Sequence, residues 1–140
     1  MKLNSLELMS RISRIRDEQA GERVTHQRNA VEQIRQQARM LSNYRDKLSL
    51  SLSGSGVQKA QFLQARGAFI KVAETAAEEV HQQLANSEAE LKRALSHWVD
   101  THERDRVLHD KYRKARRLSE RDREKRVEKD LPASQSTGKG

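Results

Sequence analysis

Two groups of residues in this 140-residue chain have types that could do chemistry, five histidines and a run of cations. The histidines are His26, His81, His97, His102 and His109. His102 and His109 stand seven apart and so share a helix face, which could begin a metal site. No third ligand converges on them, and the chain has no cysteine to add a thiolate. There is no Gly-rich phosphate loop, no H-E-x-x-H and no nucleophile elbow. The histidines therefore read as seam-edge or surface residues, with no catalytic residue, metal or cofactor expected. The cations are Arg113–Arg117, RKARR, which a phosphate-tracking helix would use. Acidic residues are interleaved on either side of them at Asp105, Asp110, Glu120, Asp122 and Glu124. From Asp100 to Asp130 there are 12 Lys or Arg against 9 Asp or Glu, so the segment reads first as a solvated helix face.

The elements that carry these residues follow from composition. Hydrophobic residues make up 34% of the chain, charged residues another 34% and aromatics 4%, too little apolar material for an ordinary globular core. Abundant Ala, Leu, Gln, Glu, Arg and Lys favour long helices with a narrow apolar seam. The net charge of +8 fits nucleic acid, anionic lipid or an acidic protein as partner. The absence of cysteine fits a reducing cytosol. Met1–Arg11 lacks the apolar core of a signal peptide and no run is long enough to span a bilayer, so membrane contact is expected to be peripheral.

The predicted fold is all-α: two long helices in an antiparallel coiled-coil hairpin, the second longer, with a disordered C-terminal tail. Ser49–Gln58, SLSLSGSGVQ, is the hinge. Gly54 and Gly56 break helix there, and Ser55 with Gln58 fits a capping box. The expected boundaries are a helix over about 4–52, capped by Asn4 or Ser5, a turn at 53–56, a helix over about 57–131 stopped by Pro132, and a tail over 132–140. In the first arm Leu8, Ile12 and Ile15 mark one apolar face. A second register, Val31, Ile34, Ala38, Leu41, Arg45, Leu48 and Leu52, begins after a break around Gly21. In the second arm Phe69, Ala73, Ala76, Val80, Leu84, Ser87, Leu91, Leu95 and Trp98 follow an eleven-residue period. Ala73 and Ala76 would leave a shallow surface for another protein. Folding about residue 54 sets Lys2 opposite Arg106, leaving Arg106–Leu131 as a basic overhang without a partner. Within it Asp110 with Lys114, and Asp122 with Arg126, are helix pairs of favourable order.

So drawn, the chain resembles the FliJ family, the stalk proteins of the flagellar type III export apparatus, and their YscO-type injectisome counterparts. The likeness is carried by QQARMLSNYRDKL (Gln36–Leu48), FLQARGAFIKVAETAAEEVHQQL (Phe62–Leu84) and LSHWVDTHERDR (Leu95–Arg106). The resemblance implies a non-enzymatic stalk that meets the hexameric export ATPase, contacts the cytoplasmic domain of the export gate and escorts export chaperones. It implies a place at the cytoplasmic face of the inner membrane, with no small-molecule substrate. The family's gate-facing surface falls on Gln37, Leu41, Tyr44, Phe69, Ala73, Ala76 and Val80. The overhang, with Arg113, Lys114, Arg116, Arg117 and Arg121, would suit a ring of opposite charge. An injectisome stalk, a basic nucleic-acid-binding coiled coil and a self-associating cytoskeletal coiled coil are the alternatives.

Overall fold

The computed structural model describes residues 2–53 and 60–137. They form two α-helices, α1 (Leu3–Ser53, 51 residues) and α2 (Ala60–Thr137, 78 residues), with no strand among the described residues. The expected turn, with Gly54, Ser55, Gly56 and Gln58, lies outside the described residues, as do residues 138–140 of the expected tail.

α1 starts one residue before the expected cap. The Leu6 amide donates to the Lys2 carbonyl at 3.1 Å, so Lys2, and not Asn4 or Ser5, closes the first helical turn. At the other end α2 passes through Pro132 and continues to Thr137. Proline's fixed φ is compatible with helix. What it removes is one amide hydrogen bond, at a cost of about 3 kcal/mol in a helix interior, and that weakens a helix without forbidding it.

The chain divides into two units. Unit 1 comprises residues 1–21 and 97–140, and unit 2 comprises residues 22–96. In unit 2 the buried and half-buried residues of α1 include Val24, Gln27, Val31, Ile34, Ala38, Leu41 and Leu48. Those of α2 include Arg66, Ile70, Ala73, Ala77, Val80, Leu84, Ser87, Leu91 and Ala94. Both sets alternate threes and fours, the spacing of a seam between two helices. Arg35 meets Glu88 at 3.3 Å, and the Arg66 guanidinium donates to the Leu48 carbonyl at 2.9 Å, so the two stretches run antiparallel.

Two expectations change here. The eleven-residue period on α2 gives way to heptads, because Ala94 is buried where Leu95 is half-buried, and Ala77 shares its position with Ala76. Apolar residues at adjacent positions satisfy either period in the sequence. Packing selects the small side chains for the centre, where the backbones come closest. At the seam position of Arg45 the side chain is exposed, and the buried Arg66 of α2 enters instead.

Unit 1 keeps the same phase with different chemistry. Its α1 seam is Leu3, Leu6, Ser10, Ser13, Asp17 and Ala20, and its α2 seam is Trp98, Thr101, Asp105, Leu108, Tyr112 and Ala115. The expected apolar face points outward, with Leu8 59% and Ile15 54% exposed. Continuing the unit 2 spacing backward from Val24 lands on Ala20, Asp17, Ser13 and Ser10. The break around Gly21 is thus a change of composition and not of register. Gly21 has a packing role: a Cβ built on it would stand 3.3 Å from Trp98 Nε1. The largest side chain faces the smallest, which fixes the pairing.

That pairing also moves the overhang. The residue numbers of Ser10 and His109, Asp17 and His102, and Gly21 and Trp98 each add to 119. Lys2 therefore falls opposite about Arg117, and not Arg106. Leu3 accordingly lines one depression with Ala115, Leu118 and Ser119. The segment Arg106–Ala115 lies opposite α1, and the residues from Arg116 to Asp130 are exposed.

Candidate partner-binding surfaces

Within unit 2, Gln37, Leu41 and Tyr44 follow one another at steps of four and three along α1, and Phe69, Ala73, Ala76 and Val80 at steps of four, three and four along α2. Each set therefore lies along one helix face. The structure grades them from outside to inside. Tyr44 is 52% and Phe69 62% exposed, and Gln37 is exposed as well. Leu41 and Val80 are half-buried members of the seam, Ala76 is half-buried at its edge, and Ala73 is 7% exposed within it. Exposed aromatic rings of this kind are residues that protein partners commonly bury. Neither ring fills the seam of its own unit. The alanines set how close the helices come, and the aromatics stand beside that line.

Unit 1 carries the basic cluster. Arg113, Lys114, Arg116, Arg117 and Arg121 are all exposed. Arg116 Nε lies 3.4 Å from Glu120, one turn on, and such an exposed pair contributes only a few tenths of a kcal/mol. Asp110 pairs at 3.9 Å with Arg106, four residues before it. Arg106 also donates to Glu103 at 2.7 Å, and this hydrogen bond holds the Glu103 carboxyl below its ordinary value and raises Arg106. The cluster is thus a row of solvated cations along one helix, without an enclosing cavity.

The histidines divide between the seam and the surface. His102 stacks on Trp98 with ring centroids 5.2 Å apart, and its Nδ1 lies 3.2 Å from Asp17 Oδ2. His109 Nδ1 lies 3.5 Å from the Ser10 hydroxyl. Both meet α1, which gives them structural work. No group of three or more His, Cys, Asp or Glu that could hold a metal occurs among the described residues. The Asp105 Oδ1 atom, shielded from solvent, has no hydrogen-bond partner. Sequence reading overlooked the cross-helix positions of Ser10, Asp17 and Asp105. The signal that locates them is the heptad phase of unit 2 carried through Gly21.

Paired heptad seams, outward-facing aromatics and a solvated basic row define a coiled-coil protein that offers surfaces to other proteins. No helix among the described residues is long and apolar enough to cross a membrane. A family model described as flagellar FliJ protein matches residues 1–129, and the chain belongs to that family. Its context is flagellar protein export by the type III secretion route, where the family supplies a structural stalk. No curated protein and no solved structure matches the chain.

Proposed function

We propose that this protein is a non-enzymatic stalk and adaptor that joins the hexameric export ATPase to the cytoplasmic domain of the export gate and escorts export chaperones. It acts at the cytoplasmic face of the inner membrane, held there by its protein partners. The observation that carries this reading is the family match over residues 1–129, and the exposed aromatics give it a surface. Such a stalk acts by binding its partners, with no chemical step of its own. Tyr44 and Phe69 supply the anchors for the gate, with Gln37, Leu41, Ala76 and Val80 around them. Ala73 contributes from within by letting the helices approach. Arg113, Lys114, Arg116, Arg117 and Arg121 supply the charge that faces the ATPase ring.

The test is a pull-down with the purified ATPase and gate domain. Alanine at Tyr44 or Phe69 should weaken gate binding about tenfold while helicity is unchanged, since both rings are largely solvated. Glutamate at Arg113 and Arg117 should reduce ATPase stimulation and leave gate binding intact. Equal loss of helicity and gate binding would reassign the aromatics to packing. Salt-dependent binding of random duplex DNA in place of the ATPase would favour the nucleic-acid alternative.

A further inference from the structure

Unit 1 hides polar residues and displays apolar ones, and the display has a shape. Met9 and Ile12 of α1, with Thr101 and Leu108 of α2, line a shallow groove of about 350 Å³. A second depression of similar volume continues it along α2 over Val107. Met9 and Ile12 are each 42% exposed and Val107 is 41% exposed. Thr101 to Lys111 spans about 15 Å of helix at 1.5 Å rise per residue, the length of two to three turns of a third helix laid alongside. Cations form the rim: Arg16 and Arg104 border the first depression, and Lys111 the second. None of the three makes an ion pair among the described residues. Glu103 is the acidic residue of this lining, and Arg106 already holds it at 2.7 Å.

We propose that this groove docks an amphipathic α-helix of another protein whose flanks carry carboxylates. Its apolar stripe covers Met9, Ile12, Val107 and Leu108, and its acidic flanks meet Arg16, Arg104 and Lys111. This partner chemistry is separate from the aromatic surface of unit 2 and from the basic cluster beyond Tyr112. A second copy of the chain does not fit. Its own outward stripe, Leu8, Ile12 and Ile15, is interspersed with Arg14 and Arg16 as well as with Arg11, which Glu7 holds at 2.8 Å, so two such faces bring the like charges of Arg14 and Arg16 together. A lipid surface is the competing occupant, and anionic vesicles in the test separate it from a helix.

The experiment uses the full chain and a labelled synthetic helix of about 20 residues, with leucines on one face and glutamates on both flanks. Fluorescence anisotropy should show saturable binding. Ile12→Glu should weaken it about tenfold, the scale of one interface anchor. The double variant Arg16→Glu/Arg104→Glu should weaken it as far and should gain affinity for the same peptide with lysine flanks. Lys92→Glu in unit 2 should change nothing. These side chains are exposed enough for circular dichroism to stay constant. Four outcomes would overturn the proposal: equal binding of the glutamate and lysine peptides, indifference to Ile12→Glu, capture of the chain by phosphatidylglycerol vesicles in place of the peptide, or sedimentation as a dimer that Ile12→Glu dissolves.

Discussion

Unit 2 and unit 1 are built on the same spacing and filled with opposite chemistry. In unit 2 the α1 seam is largely Val, Ile, Ala and Leu, and in unit 1 it carries Ser10, Ser13 and Asp17. Across from them unit 1 places Thr101 and Asp105, with its apolar Leu8, Ile12 and Ile15 in water. Burial of apolar area is the main favourable term in helix pairing, at about 25 cal/mol per Å². Unit 2 uses that term along its seam while still leaving Met40, Tyr44, Phe69 and Val72 exposed, whereas unit 1 relies on Leu6, Ala20, the Gly21–Trp98 contact and polar cross-helix pairs. The comparison teaches that helix pairing and surface recognition draw on one apolar inventory. Side chains spent on the outer face are missing from the seam.

The sharpest way to break the comparison is to put a charge into the apolar seam. Val31 is 2% exposed in unit 2, and Val31→Asp buries a carboxylate without a partner. The expected loss is about 3 kcal/mol, read as a lower urea midpoint by circular dichroism. The matching change in unit 1, Ser10→Asp, should cost less, because the His109 imidazole, 3.5 Å from the Ser10 hydroxyl, can hydrogen-bond to the new carboxylate. Equal losses at the two sites would mean that the seams do not differ in kind.

Trp98→Ala comes next. The indole is half-buried against Gly21 and stacked on His102, so its removal should cost about 2 kcal/mol, below the range for a fully buried ring. Gly21→Leu should destabilise in the same direction, since its Cβ alone would sit 3.3 Å from the indole nitrogen. The double variant Gly21→Leu/Trp98→Ala should then recover part of the loss, because leucine can occupy the space the ring leaves. A strictly additive double variant would show that the two residues do not pack as a pair.

How much of this was legible in the sequence follows from the same contrast. The all-α hairpin and the seam from Val31 to Leu48 could be read directly, because apolar residues mark that face. The outward exposure of Leu8, Ile12 and Ile15 could not, because hydrophobic periodicity locates an apolar face without saying what covers it. The eleven-residue period was an ambiguity between neighbouring apolar positions, which only the close approach at Ala94 resolves. The inter-arm register could not be set from the glycines of the turn. It depended on Trp98 finding Gly21, a long-range match of volumes that no local pattern encodes. For the candidate surfaces, Tyr44 and Phe69 were legible through family likeness, and the structure adds their exposure. The groove over Met9 and Leu108 needed the register first.

A gain of stability sharpens the comparison from the other side. Asp105 presents a shielded Oδ1 without a hydrogen bond to the unit 1 seam. Asp105→Leu removes that uncompensated polar atom and adds a better helix former, so it should stabilise the chain by about 1 kcal/mol. Circular dichroism should show the gain as a higher urea midpoint. A loss would mean that the carboxylate contributes through its other oxygen more than the shielded one costs.

The smallest effect is expected at Glu103, and its value lies in its sign. The hydrogen bond from Arg106 holds the Glu103 carboxyl below its ordinary value in the folded chain, with the guanidinium charge acting in the same direction. A depressed folded value means that the unfolded chain takes up a proton first as pH falls. The stabilisation is therefore fully present above the ordinary carboxylate range near about 4.3 and disappears as pH drops through the lowered value. Glu103→Gln keeps the shape and removes the charge, so the melting temperatures of parent and variant should differ slightly at pH near 6 and converge toward pH near 3. Both partners of this pair are solvent-exposed, and raised salt should shrink the neutral-pH difference further. A difference that instead widens on acidification would assign Glu103 a stabilising role as the protonated acid, contrary to its contact with Arg106.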